Sequence, residues 1–412
     1  MSAILNTRRA ISSHLIWVFL VVGLFLPTSR GGVTSNAYGF AAVGLMVLLC
    51  FLLLDFRADR LVPIFAIFGL LCLFTLTSYI FGGLHDIRMG AAVNFVGLGV
   101  MLSLDLKNVT LTAFSRRLFW LISVAMLAFV GLILAGNETV RDLLVAYYSY
   151  FYQTLVRAML VLRKPVLFFA SHSIAALGMY LFFYLNLRAG RRFIAFCFIL
   201  ACFALTSFSG FAMGLIALTI WTTVQLRRHP VVTVAAASVV LIVGVKLILV
   251  YWDEISTASE AYISFTASGP LSRYGASGNL RPALEYIADN PWFPIGLTHH
   301  GSMMVGDSGP VEYLLRGSVL LMVLIYGAFA SFLYFNLKHK IDFVVLLGSF
   351  LLFDQGYTSL SYFRFYYLLP FAVVYLNAIT PAPEFEVPAG WRRRVVGSLT
   401  FIREAVKKGA SS

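Results

Sequence analysis

The chain is 412 residues long, 60% hydrophobic and only 12% charged, with a mean hydropathy of +0.87. No soluble domain of that length can hide so much apolar surface, so its solvent is lipid. The basic excess, 31 Lys and Arg against 18 Asp and Glu, is read as cytoplasmic loops obeying the positive-inside rule rather than as a nucleic-acid surface. All four cysteines (Cys50, Cys72, Cys197, Cys202) lie in apolar runs, which implies neither a disulfide framework nor a zinc site.

The first apolar run follows Arg8 and Arg9 and ends in FLPTSRGG without a small-x-small cleavage pattern, so it reads as a span rather than a signal peptide. Counting it, apolar segments fall at 13–27, 38–54, 61–81, 89–104, 118–135, 166–186, 193–208, 211–226, 231–251, 311–335, 341–357 and 360–379. Lipid offers no partner to a backbone N–H, and these runs are too long and too uniformly apolar for barrel strands, so they are helices. The expected fold class is an all-α integral membrane protein of about twelve transmembrane helices with a large outer loop in the second half. The polytopic domain covers 1–380, and a basic cytoplasmic tail covers 381–412.

With the N-terminus inside, alternation puts 20 of the 31 Lys and Arg residues on the cytoplasmic side, and both termini come out cytoplasmic. The outer side keeps Arg30, Arg88, Arg141, Arg157, Arg163, Lys164, Arg273, Arg281, Arg316 and Arg364, with Lys246 near the outer end of its helix. Arg316 and Arg364 stand out because they lie against or inside apolar runs, where a central arginine costs about 2.5–3.5 kcal/mol on insertion scales.

Two outer segments are long, 136–165 and 252–310. The first contains RDLLVAYYSYFYQTLVRAMLVLRKP, aromatic with basic ends, which suits a helix lying in the membrane interface. The tail WRRRVVGSLTFIREAVKKG reads as a basic amphipathic helix on the anionic inner leaflet.

The second segment carries the chemistry. Asn279 or Ser277 is positioned to cap a helix that begins at Arg281-Pro282, runs about two turns through RPALEYIADNP and stops at Asn290-Pro291. WFPIGL and the glycines at 301 and 306 then make an irregular stretch, and helix resumes in DSGPVEYLLRGSVLL with Asp307 or Ser308 at its start. Glu312 and Arg316 share a face at i and i+4, as a helix ion pair would. Guanidinium groups at a membrane surface also suit phosphate, bound bidentately. His299 and His300 are adjacent and cannot share a helical face, and there is no H-E-x-x-H, P-loop or G-x-S-x-G, so no metal site is expected. A histidine beside a carboxylate in a wet outer cavity can act as a general base. His172, in FASHSIAAL at the outer start of a span, fits a capping or interfacial residue better than a catalyst.

Taken together, R-P-A-L-E-Y-I-A-D-N-P-W-F-P-I-G-L followed by D-S-G-P-V-E-Y-L-L-R-G resembles the signature of the O-antigen polymerase and ligase superfamily. That pattern is an Arg-led short helix, then x-Pro-[hydrophobic]-x-Gly-[hydrophobic]-Gly, then a polar pair opening a helix that runs on to a glycine. KPVLFFASHSIAAL is similar to the family's start of a mid-chain span. Two departures, Asp307-Ser308 where the ligase has His-Asn and LTSFSGF where relatives have Ser-Arg, point away from the lipid A–core ligase and toward a polymerase of surface polysaccharide.

The resemblance implies a GT-C-like, metal-independent, inverting glycosyl transfer on the periplasmic side of the bacterial inner membrane, with no cofactor. Donor and acceptor would be glycans on undecaprenyl diphosphate, and further partners would be the bilayer, a chain-length regulator and a flippase. Arg281, with Arg273, Arg316 or Arg364, would bind the diphosphate, and Asp307, Glu312 or His300 would serve as base. His172 and His299 would lie on the acceptor side of the loop. The alternatives are a ligase passing polymer to lipid A–core, a transporter or flippase of lipid-linked sugars, and a non-catalytic assembly subunit.

Overall fold

The computed structural model of the chain describes residues 2–26, 35–53, 55–56, 58–83, 86–148, 156–169 without 158, 171–228, 280–298 without 292, and 308–379 without 359 and 361. The predicted apolar segment 231–251, most of the loop 252–310 and the tail 381–412 lie outside them.

Of the twelve predicted apolar segments, eleven are helical. In chain order the helices are α1 (Ser2–Phe25), α2 (Ser35–Leu53), α3 (Ala58–Phe81), α4 (Met89–Ser103), α5 (Ala113–Leu134), the short α6 (Glu138–Tyr147), α7 (His172–Arg188), α8 (Arg192–Ala204), α9 (Phe208–Arg228), the short α10 (Arg281–Asp289), α11 (Gly309–Asn336), α12 (Lys340–Asp354) and α13 (Phe363–Ala378). Among the described residues, four segments are long and apolar enough to cross a membrane by length and composition: Leu61–Phe81, Ala113–Leu134, Phe208–Leu226 and Gly309–Asn336. This is a helical membrane protein. The only pairing of strands among the described residues is the two-residue ladder of β1 (Asp55–Phe56) with β2 (Leu104–Asp105).

Two helices form the centre. Every residue of α7 after His172 is buried, as is α13 from Phe363 to Asn377. A helix apolar all round belongs inside a bundle, and the outer helices turn residues such as Phe65 (70% exposed) and Phe193 (80%) away from it. The polar groups of α7 are matched to neighbours: Tyr180 bonds Ser349, Asn186 donates to Ser123 Oγ at 3.0 Å, and Tyr184 donates to Asp342 at 2.5 Å. Arg188, one of the positive charges counted to the cytoplasmic side, is 1% exposed, its Nε and Nη2 gripping the Asp342 carboxylate at 2.7 and 2.9 Å.

Contacts sort the helix ends into two groups. On one face, β1 and β2 lie beside Asn336, whose side chain bonds Leu104 and Leu106; Asn377 bonds the 336–338 turn, Arg188 meets Asp342 and Arg192 meets Gln225. On the other face Arg364 reaches the end of α1, Ser209 meets Ser173, and Arg163 and Lys164 reach the carbonyls of Leu134 and Thr206. α7 and α9 thus each have one end in either group.

The predicted span 166–186 begins later than its hydropathy suggested, because Leu167–Phe169 form a 3-10 turn that precedes α7. In the predicted interface segment 136–165, α6 is capped by Asn137, which accepts from Val140 N at 3.0 Å, and it buries Leu144 and Val145.

Removing one partner from a buried ion pair leaves a bare charge and costs about 3–5 kcal/mol. Arg188→Ala is therefore expected to lower the thermal midpoint of the detergent-purified protein sharply, and the pair Arg188→Met with Asp342→Leu to recover most of it. Equal loss in the single and double variants would show that the pair is not what joins α7 to α12.

Candidate functional site

α10 lies on the second of these faces, across the start of α11. Leu280 and Ala283 are buried with Ile295, Val311 and Leu315 in a small core of their own. Pro282 stands in the first turn, where its missing N–H costs nothing. Leu280 precedes the helix in α-region geometry without a side-chain cap, and the caps expected from Asn279 or Ser277 lie outside the described residues.

From Pro294 to Thr298 the chain forms a strap whose backbone groups are taken up one by one. Ser78 Oγ donates to Pro294 O at 2.8 Å, and the amides of Ile295 and Gly296 donate to the carbonyls of Leu315 and Arg316 at 2.9 and 3.0 Å. Leu297 N donates to Thr75 Oγ1 at 2.8 Å, Arg88 N donates to Leu297 O at 2.8 Å, and Thr298 bridges to Ile87. Gly296 has φ +58°, and a β-carbon there would strike the Thr75 backbone.

α11 opens to receive the strap. Gly317 (φ −158°, ψ 25°) and Ser318 (φ 61°, ψ −172°) leave helical geometry, which releases the Leu315 and Arg316 carbonyls to the strap amides. Ser318 thus occupies a region that only glycine visits readily, at a cost of about 1–3 kcal/mol. Arg316 closes the joint from within. It is 1% exposed, its Nε donates to Glu312 Oε1 at 3.0 Å, and its Nη1 donates to Gly296 O at 2.9 Å. The ion pair expected from i, i+4 spacing is present, and its arginine also binds the strap.

Arg364 is spent differently. Fully buried, it donates through Nη1 to Gly23 O at 3.1 Å and Leu24 O at 2.6 Å, capping the carbonyl end of α1. The rings of Phe169 and Phe363 flank it at 5.9 and 5.6 Å. Tyr147 OH takes the next carbonyl, Phe25 O, at 2.5 Å. Burial raises the Tyr147 phenol above its ordinary value, and the Arg364 charge works against that rise.

Arg281 is the exposed member of the set. Its side chain is 47% accessible, and its Nε lies 2.5 Å from Glu285 Oε1, itself 57% accessible. Between α10 and the α11 kink runs an open cleft of about 110 Å³ lined by Tyr286, Ile287, Pro294, Leu315, Ser318 and Val319. The fold thus joins Arg281, Glu312 and Arg316 through one packed unit, with Arg364 at the same end of the bundle but on another helix pair. His172 is the half-buried first residue of α7, beside the Ser173–Ser209 bond. Arg273, His299, His300 and Asp307 lie outside the described residues.

No family model, curated protein or solved structure matches the chain. The functional reading therefore rests on the residues themselves. Sequence reasoning missed the strap's partners and the kink, whose one local signal was Gly317-Ser318 after Arg316.

Gly296→Ala is expected to cost at least about 1–3 kcal/mol, from the left-handed backbone together with the collision with Thr75. The check is the unfolding midpoint and yield of the purified protein. Wild-type values would mean that the strap does not pack on α3.

Proposed function

We propose that this chain is a membrane glycosyltransferase that polymerises undecaprenyl-diphosphate-linked oligosaccharide repeats into surface polysaccharide at the periplasmic face. The observation that carries the reading is that three separate pieces of the resembling motif form one unit: the Arg281 helix, the Pro-Ile-Gly-Leu strap and the Glu312–Arg316 turn. Twelve spans are part of this proposal. They comprise the eleven described apolar helices and the predicted segment 231–251, which lies outside the described residues. The face opposite the site carries Lys107, Arg116, Arg117, Arg188, Arg191, Arg192, Lys338 and Lys340, which supports a cytoplasmic assignment for it.

In this mechanism the arginines divide their work. An exposed ion pair such as Arg281–Glu285 is worth about 0–1 kcal/mol, so a diphosphate can displace Glu285 at small cost. Arg316 and Arg364 are bound to carbonyls and support the site instead of touching substrate. Glu312 is held by Arg316, which leaves Asp307 and His300, both outside the described residues, as the candidate bases. An acceptor hydroxyl oxygen attacks the donor's anomeric carbon with inversion, and the carbon–oxygen bond to the diphosphate breaks. The leaving diphosphate takes the negative charge, which Arg281 stabilises, and the hydroxyl proton passes to the base.

Transport finds less support. Among the described residues, four buried charged groups stand at helix ends: Arg188 closes α7, Asp342 is in the first turn of α12, Asp354 closes α12 and Arg364 opens α13, while Glu312 and Arg316 lie in α11 ahead of its kink. A lipid-linked sugar pathway would be expected to place such groups mid-span.

Deleting the chain from the producing strain should collapse the surface glycan ladder to one repeat. Wild type should restore the ladder, and Arg281→Ala should not, at equal protein level. Long polymer left on its carrier would indicate a ligase, and loss of all periplasmic repeats a flippase. Synthesis by the purified protein is expected to persist in a chelator; loss restored by a divalent ion would remove this mechanism.

A further inference from the structure

The last residue of α12, Asp354, is fully buried at the end of the bundle that holds the candidate site. Its carboxylate accepts from Tyr326 OH at 2.8 Å and from Leu360 N at 3.4 Å. It also lies so close to Gly309, the first residue of α11, that a β-carbon on Gly309 would land on the carboxylate. Ser308, which precedes α11 and is itself fully buried, adopts extended geometry and offers no side-chain cap. The amino end of a helix presents unpaired N–H groups and a partial positive charge, and a carboxylate there is stabilising. Asp354 supplies that anion from a different helix.

We propose that Asp354 is a positioning residue: its carboxylate seats the first turn of α11 and thereby fixes Glu312 and Arg316 against the strap. Glu312 N donates to Ser308 O at 3.0 Å, so the turn that Asp354 holds is the one that carries Glu312. Arg316 follows one turn later and binds Gly296 O. A shift of α11 along its axis would pull the guanidinium from the strap and move α10, which packs on Val311 and Leu315. At the other end of the short α12–α13 connection, Arg364 holds the carbonyl end of α1. The connection is thus pinned at both ends, each charge on the helix pole of opposite sign. Gly309 is glycine because Asp354 is there.

The catalytic part of this inference rests on the polymerase reading; the contact itself does not. The contact is tested by a double-mutant cycle on the full-length purified protein, read by thermal unfolding. Gly309→Ala should lower the midpoint by several degrees in the wild-type background and cause no further loss in Asp354→Ser. Additive losses would overturn the proposal. The isosteric Asp354→Asn, expected to accumulate normally, tests the positioning. Because a misplacement of about 1 Å can cost on the order of 10²-fold, its rate of glycan synthesis should fall by about that factor while affinity for the lipid-linked donor is unchanged. An unaltered rate, or a loss confined to donor affinity, would overturn the proposal. If wild type makes no polymer, the functional reading fails while the stability cycle still decides the contact.

Discussion

One buried guanidinium organises the end of this bundle. Arg316 bonds Glu312 one turn back on its own helix and, across a gap, the carbonyl of Gly296. A charge removed from water must be fully matched, and here the matching uses backbone as well as a carboxylate. The strap that offers Gly296 O takes back two carbonyls from α11 through the amides of Ile295 and Gly296. That exchange is possible only because α11 leaves helical geometry at Gly317 and Ser318. Charge pairing, helix kink and strap geometry are one solution to one accounting problem.

The same economy runs through the rest of the molecule. Lipid gives helices no hydrophobic reason to associate, so polar contacts and close packing must do it. Arg188 and Asp342 join α7 to α12, Asn336 ties the β2 turn to α11, and Asn377 ties α13 to the same corner. Where α4 meets α13, Gly97 allows the Tyr366 ring to lie against its backbone, and Tyr366 OH then reaches Asn94 O at 2.7 Å. Polar groups in this protein mostly terminate or cross-link helices.

That pattern explains what the sequence could tell. Helices were legible because an apolar run in lipid has no other way to satisfy its backbone, and α10 was legible from Arg281-Pro282 at its start and Asn290-Pro291 at its end. The Glu312–Arg316 pair followed from spacing alone. The partners of Arg188 and Arg364 were not legible, because Asp342 and the end of α1 are remote in sequence and only the packed bundle brings them near. Nor was the late start of α7: hydropathy runs smoothly through Val166–Phe169, while the backbone there turns through a positive φ at Leu167 and a 3-10 turn. Nor was the kink at Gly317-Ser318, because the strap that demands it comes from outside the helix.

The arrangement divides the arginines by freedom of movement. Arg316 and Arg364 have lost theirs, since Arg316 is held by Glu312 and the Gly296 carbonyl and Arg364 by the carbonyls of Gly23 and Leu24, which would be left unpaired if they moved. Arg281 stands on a nine-residue helix attached through a small core of Leu280, Ala283, Ile295, Val311 and Leu315. An element with so few buried contacts opens locally at lower free energy than the bundle beneath it. Under the polymerase reading that contrast is useful. A lipid-linked diphosphate must enter, react and leave, so the cation that holds it should sit on the part of the structure that can shift. The buried arginines fix the frame against which it shifts, and the exposed one follows the substrate.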